Sequence, residues 1–205
     1  MRRTALANRL AIGGGIPPVL AAIVSLAGWT FDLEELTTFL PGAPSMKVNT
    51  ALGLLAAGSA LLLLQARCRR PAALLAGLCC AIGLITAAEW SGLVSFSIDQ
   101  LLLTDHVTLL PGVPGRPSEA TAWLLTLLGA AILMHDSRQP PLQRMAEIAG
   151  LVMIFFAWFA INCYLFDVQA IAGIGIFATM AVHTALGFLC LGVSLLMAAQ
   201  ARWDG

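Results

Sequence analysis

The chain has 205 residues, of which 59% are hydrophobic and 11% are charged, and its mean hydropathy is +0.88. Soluble domains carry roughly 25% charged residues, so this composition excludes a soluble globular enzyme, and the high apolar content excludes a disordered chain. Eleven basic and eleven acidic residues give zero net charge, without the basic excess of a nucleic-acid-binding protein. We therefore predict an all-α polytopic membrane protein whose first partner is the lipid bilayer.

Six apolar stretches follow one another along the chain, and each is long enough to cross roughly 30 Å of hydrocarbon as a helix. They cover residues 12–29, 48–66, 71–90, 117–134, 148–166 and 180–199. Because Pro17 and Pro18 fall inside the first stretch, we expect that helix to be bent or to start late. Since this stretch also follows arginines, a cleaved signal peptide is the alternative interpretation.

The positive charges predict the orientation of these helices. Nine arginines lie on one side of the predicted membrane, and Lys47 and Arg116 lie on the other, together with eight of the eleven acidic residues. The nine are Arg2, Arg3, Arg9, Arg67, Arg69, Arg70, Arg138, Arg144 and Arg202. We expect a multi-pass protein of the bacterial inner membrane with both termini in the cytoplasm.

A short pattern recurs in the second, fourth and sixth stretches. Each contains Thr-Ala with a glycine eight residues after the threonine: Thr50 and Gly58, Thr121 and Gly129, Thr184 and Gly192. The pattern predicts three repeated helical hairpins, at about 12–66, 71–134 and 148–199, within one transmembrane domain of residues 1–205. The small residues suit close helix packing. The alternative is that the repeated outer ends also frame one pocket.

The candidate ligand-binding or signal-sensing residues lie near the outer ends of the predicted spans. Glu89 lies inside a predicted span, near its outer end, and an acid in a membrane is a functional candidate. Its alternative role is a solvated or paired carboxylate, with Arg116 or Lys47 as the partner. The repeat supplies the other candidates, which are Asn49, Thr50, Thr121, His183 and Thr184.

The residues that could bind a cofactor or act in catalysis form no recognisable motif. His183, Met180, Met46 and His106 could form a soft-metal site for copper, but no metal-ligand spacing supports it, and we assign no metal. No clean pair of histidines suits a haem, and the five cysteines form no Cys-x-x-Cys motif. The sequence contains no nucleophile–base arrangement or nucleotide fingerprint. We expect no enzymatic activity and leave the cofactor open.

Three segments resemble a known family. They are PGAPSMKVNTALG at 41–53, Glu89-Trp90 followed by IDQLL at 98–102, and HTALGFL at 183–189. They resemble the multi-span N-terminal membrane sensory region found ahead of PAS, histidine-kinase or diguanylate-cyclase modules in bacterial signalling proteins. One departure is Ala120, where the pattern leads us to expect asparagine before Thr121. The resemblance implies that the last span leads into a cytoplasmic output module, whose motifs this sequence lacks.

Two functions are compatible with these features. The first is a non-catalytic sensory input module, which passes a membrane or periplasmic signal to a cytoplasmic signalling domain. The second is a structural or accessory subunit of a larger membrane complex, with a pigment, a haem or lipid as the candidate contacts. Accordingly, the chain would be either a module cut from a sensor or a free-standing subunit.

Overall fold

The computed structural model describes residues 2–38, 43–94, 105, 113–166 and 180–203. For residues 2–8 and 202–203 it describes the backbone only. Seven α-helices and no strands are found in this part of the chain. They are α1 (Arg2–Thr30), α2 (Glu34–Thr37), α3 (Val48–Gln65), α4 (Arg69–Trp90), α5 (Glu119–His135), α6 (Pro140–Leu165) and α7 (Val182–Trp203). The all-α prediction is therefore confirmed for the described residues.

A helix lies over each of the six predicted apolar stretches, and most ends agree within two residues, but α1 and α6 begin much earlier than predicted. The late start expected for α1 is wrong, because this helix begins at Arg2 and continues through Pro17 and Pro18. A proline ring crowds the carbonyl four residues earlier, and here those residues are glycines, at 13 and 14. Helix α6 begins at Pro140 instead of 148, because its first turns are polar and precede the apolar stretch.

Five of the described helices, α1, α3, α4, α6 and α7, are long and apolar enough to cross a membrane. Helix α5 is equally apolar but has 17 residues, a turn shorter than most of the others. Large apolar side chains remain exposed on α1, α4 and α6, with Leu20, Leu74 and Phe155 more than half exposed. Apolar surface of this kind belongs in lipid rather than in water.

Three of the six long helices lie at the centre of the bundle, and three lie at its periphery. Consecutive helices pack as pairs, α1 with α3, α4 with α5 and α6 with α7, and the contacts α3–α4, α5–α6 and α1–α7 close a ring. Helices α3, α5 and α7 also contact one another, so they form the centre. Most of the apolar length of α3 and α7 is buried, against about a third in α1, α4 and α6.

Close helix approach occurs at the glycines of the repeated pattern. A Cβ atom on Gly58 would lie 3.1 Å from the carbonyl oxygen of Gly15 in α1, and one on Gly192 would lie 3.0 Å from that of Gly150 in α6. A Cβ atom on Gly129 would lie 2.6 Å from the carbonyl oxygen of Ala76 in α4. Each of these glycines therefore faces the peripheral helix that precedes it in the chain, with almost no space between the backbones.

The two ends of the bundle differ in chemistry. At one end, α3, α5 and α7 begin and α1, α4 and α6 finish; we call it the acidic end because Glu89 and Asp105 are buried there. At the opposite end, α3 finishes next to Arg67 and Arg69 and α5 finishes next to Arg138. We call this the basic end. The central helices run in the same direction from one end to the other.

Candidate functional site

The first turns of the three central helices hold five of the predicted site residues. Asn49 and Thr50 lie in the first turn of α3, Thr121 in that of α5, and His183 and Thr184 in that of α7. All five are buried. Because α3, α5 and α7 contact one another, these residues share one layer at the acidic end. This placement agrees with the prediction that the five residues lie at equivalent positions of three helices.

Glu89 lies at the same end, in the last turn of α4, and is paired with Arg116. Glu89 Oε2 lies 3.7 Å from Arg116 Nη2, with the carboxylate side chain fully buried and the guanidinium side chain 16% exposed. The guanidinium also lies over the ring of Trp90, with its carbon 5.6 Å from the ring centroid. Of the two partners considered from the sequence, Arg116 is therefore the one in contact with Glu89.

Lys47 takes part in a second ion pair at the acidic end, which the sequence did not predict. Its Nζ lies 2.7 Å from Oδ2 of Asp105, whose side chain is almost fully buried, and 5.8 Å from the ring centroid of Trp29. The same carboxylate oxygen accepts a 2.7 Å hydrogen bond from the backbone N–H of Gly115. The pair joins the start of α3 to the loop between α4 and α5, 58 residues along the chain.

Near the end of each peripheral helix, an aromatic side chain donates a hydrogen bond to a backbone carbonyl. The accepting residue lies two positions before the start of a central helix. Trp29 Nε1 donates to the carbonyl of Met46 over 2.7 Å, and Trp90 Nε1 to that of Pro117 over 3.0 Å. In the third pair of helices, the hydroxyl of Tyr164 donates to the carbonyl of Met180. The three acceptors lie four residues before Thr50, Thr121 and Thr184.

The hydroxyl of Thr121 is engaged within its own helix start. Ser118 is the N-cap of α5 and accepts a 3.2 Å hydrogen bond from the backbone N–H of Thr121, and the two hydroxyl oxygens lie 2.7 Å apart. Such a cap satisfies a backbone N–H that the helix leaves open. Ser118 and Thr121 therefore fix the start of the shortest central helix.

The copper candidates are only partly placed by the structure. Met46 and Met180 are buried and His183 lies in the first turn of α7, while His106 falls outside the described residues. No group of three or more His, Cys, Asp or Glu side chains suited to a metal ion occurs among 2–38, 43–94, 105, 113–166 and 180–203. The carbonyls of Met46 and Met180 accept the aromatic hydrogen bonds described above, so both residues have a structural role.

Comparisons with known proteins do not assign the chain. No family model matches it, and neither the curated proteins nor the solved structures contain a significant match. The resemblance to sensory membrane regions therefore stays a prediction.

The arrangement at the acidic end has a definite chemical character. Two ion pairs, Glu89–Arg116 and Lys47–Asp105, combine almost completely buried carboxylates with partly exposed cations, each over an indole ring. Loss of the cation from such a pair would leave an unpaired carboxylate buried, which is strongly destabilising. The acidic end therefore holds two neutralised ion pairs in addition to the buried polar residues in the first turns of α3, α5 and α7.

Proposed function

We propose that the chain is the membrane-embedded input module of a bacterial signalling system, with no catalytic activity of its own. In this proposal the six long helices span the inner membrane as three repeated hairpins, with both termini in the cytoplasm. The acidic end then faces the periplasm and receives the signal. The basic end faces the cytoplasm, where a signalling domain or another membrane subunit is the partner.

The path of the central helices is the observation that carries this proposal. Each of α3, α5 and α7 begins in the buried polar layer at the acidic end, and each reaches the basic end without a break. Helix residues move together, so a shift of packing in the polar layer would be transmitted along all three. A ligand or a membrane property that favours one arrangement of the layer would thus change the basic end.

The repeated contacts support the predicted three-hairpin organisation. The aromatic donors Trp29, Trp90 and Tyr164 have acceptors at equivalent sequence positions, and the three glycines face equivalent partner helices. In the proposed organisation each hairpin contributes one central helix, and the polar layer lies where these three helices meet. This favours a shared signal-sensing site over three separate ones.

Hydrogen–deuterium exchange tests the proposed transmission. We would reconstitute the full chain in nanodiscs and compare the wild type with Glu89→Gln, which removes the charge from the buried pair. The proposal expects altered exchange at the basic end, at 64–70, 135–138 and 198–203, as well as near residue 89. Glu34→Gln, at an exposed acid of α2, is the matched control and should leave those segments unchanged.

A second comparison separates transmission from general loss of stability. Gly129→Ala disturbs the packing of α4 and α5 away from the acidic end, so it reports what simple destabilisation does to exchange. Transmission predicts that Glu89→Gln changes the basic end in a pattern that Gly129→Ala does not reproduce. Changes confined to residues around 89 and 116, or identical in the two variants, would contradict the proposal.

The accessory-subunit function is the second candidate, and the exposed face of α6 favours it. Met145, Ile148, Leu151, Phe155 and Trp158 follow helical spacing, and each is more than half exposed. A stripe of this size could pack against another subunit as well as against lipid. Purification in mild detergent, with mass spectrometry of accompanying chains and an absorption spectrum, tests it. A colourless protein without stoichiometric partners would contradict this second function.

A further inference from the structure

The basic end contains a cavity that the proposed function does not use. Its volume is about 490 Å³, and it lies where α3, α5 and α7 finish. The polar lining comes from Gln65, Arg67, Arg69, His135 and Asp136, and α7 contributes Ala198 and Ala201. This volume falls within the range typical of small-molecule sites, roughly 300–1,000 Å³.

Two arginines and one acid line this cavity, and one of the two arginines forms an ion pair with the acid. Asp136 is the one acid in the lining, and its Oδ1 lies 3.3 Å from Nε of Arg69. None of the ion pairs found within the described residues includes Arg67, which is exposed at the edge of the cavity. The guanidinium of Arg67 is therefore available to an anion that enters beside the Arg69–Asp136 pair.

The backbone at Arg67 supplies a second observation. Helix α3 ends in a Schellman motif, in which the N–H of Arg67 donates to the carbonyl of Leu64 and that of Cys68 donates to the carbonyl of Leu63. The residue at the position of Arg67 has a φ of +61°, a conformation that glycine adopts most easily. This helix end places the side chain of Arg67 at the edge of the cavity.

We propose that this cavity binds the phosphate group of a phosphate ester, with the guanidinium of Arg67 as the principal donor. Arginine presents a planar set of N–H donors that matches phosphate oxygens, which makes it the common residue for this task. The volume exceeds that of one phosphate, so the substituent of the ester also has space in the cavity. The ester is either the headgroup of an anionic lipid or a soluble phosphate compound.

Lipid and soluble sources require separate binding measurements on the full chain. For the lipid source, the protein in phosphatidylcholine nanodiscs would be compared with nanodiscs that also contain phosphatidylglycerol, and native mass spectrometry would count the retained anionic lipid. For the soluble source, glycerol 3-phosphate would be titrated in phosphatidylcholine nanodiscs and followed by thermal stabilisation. Binding in either arm supports the proposal, and the arm in which it occurs identifies the source.

Three variants decide whether Arg67 is the donor. Arg67→Gln removes the charge, and Arg67→Gly removes the side chain while relaxing the backbone. Arg138→Gln is the matched control, because Arg138 is an exposed loop arginine at the same end that does not line the cavity. Loss of a charge-assisted hydrogen bond predicts about tenfold weaker binding in both Arg67 variants and unchanged binding in Arg138→Gln.

Two results would overturn the assignment. One is absence of binding in both arms, which would mean that the cations only balance the carbonyl ends of the central helices. The other is equal weakening by Arg67→Gln and Arg138→Gln, which would indicate attraction to the general positive charge of this end. Because Arg67→Gly also relieves the backbone, its loss of binding could not be attributed to misfolding.

Discussion

Glu89 and Arg116 form an ion pair whose two sides are unequally buried. The side chain of Glu89 is fully buried, while that of Arg116 is 16% exposed. The guanidinium of Arg116 also lies over the ring of Trp90. Removal of the arginine therefore leaves a buried charge in an apolar setting, whereas removal of the carboxylate leaves a cation with access to water. The two single substitutions should differ in their consequences.

We predict that Arg116→Met lowers the free energy of unfolding by about 3 kcal/mol and Glu89→Gln by about 1 kcal/mol. The double variant Glu89→Gln/Arg116→Met should be more stable than Arg116→Met alone, because it removes the unpaired charge. Unfolding in mixed micelles of dodecyl maltoside and sodium dodecyl sulfate, followed by circular dichroism, measures these differences. Equal losses in the two single variants would show that the asymmetry of burial has no effect.

The glycines of α4 and α5 offer a matched pair of substitutions. A Cβ atom on Gly129 would lie 2.5 Å from the backbone nitrogen of Cys80, so Gly129→Ala must push α4 and α5 apart. A Cβ atom on Gly77 in α4 would meet nothing within 4 Å. We predict a loss of about 2 kcal/mol for Gly129→Ala and a gain of roughly 0.5 kcal/mol for Gly77→Ala, since alanine favours helix. Similar values for the two would contradict the close approach of α4 and α5.

Each of the three aromatic hydrogen bonds at the acidic end can be removed by a substitution to phenylalanine. Trp29→Phe, Trp90→Phe and Tyr164→Phe each remove a donor to the carbonyl of Met46, Pro117 or Met180. Tyr164→Phe should cost about 1 kcal/mol, the usual net value of such a bond, in the same unfolding measurement. Trp29→Phe and Trp90→Phe should cost more, because each also removes part of the ring beneath Lys47 or Arg116. Trp158→Phe is the control, because Trp158 is exposed on α6. A cost for Trp158→Phe as large as the other three would remove the argument for equivalent contacts.

The backbone conformation of Arg67 predicts that a glycine at this position stabilises the protein. Its φ of +61° disfavours any residue with a side chain, so Arg67→Gly should raise the free energy of unfolding by about 1 kcal/mol. Arg138→Gly, in the loop after α5, is the comparison, since Arg138 has no positive φ. That substitution should be neutral or slightly destabilising. A loss of stability in Arg67→Gly would show that its side chain stabilises the fold.

Hydropathy was sufficient to locate the six long helices, because a membrane helix must be apolar over most of its length. It could not locate their polar ends. Helix α6 starts at Pro140, where Gln143 and Arg144 give no apolar signal. The late start expected from Pro17 and Pro18 did not occur, since α1 begins at Arg2. These errors arise because capping and glycine placement decide helix ends, and hydropathy averages do not register them.

The sequence predicted the candidate site only in part. The Thr-Ala pattern placed Thr50, Thr121 and Thr184 at equivalent positions of three helices, but it did not predict that these helices form the centre of the bundle. It could not choose between Arg116 and Lys47 as the partner of Glu89. The pair of Lys47 with Asp105 depends on the route of a long loop, for which the sequence has no signal. The cavity at Arg67 depends on backbone geometry at a helix end and was not predicted either.

Transmission from the acidic end to the basic end is the central claim, and Cys68 allows a direct measurement of it. Cys68 is the exposed cysteine of the five and follows Arg67 at the end of α3. A trifluoromethyl label on its thiol, with Cys68→Ser to assign the signal, would report the conformation of the basic end by fluorine NMR in nanodiscs. We predict two resonances whose populations change in Glu89→Gln and stay constant in Glu34→Gln. A spectrum identical in the wild type and Glu89→Gln, with both proteins folded, would contradict the account.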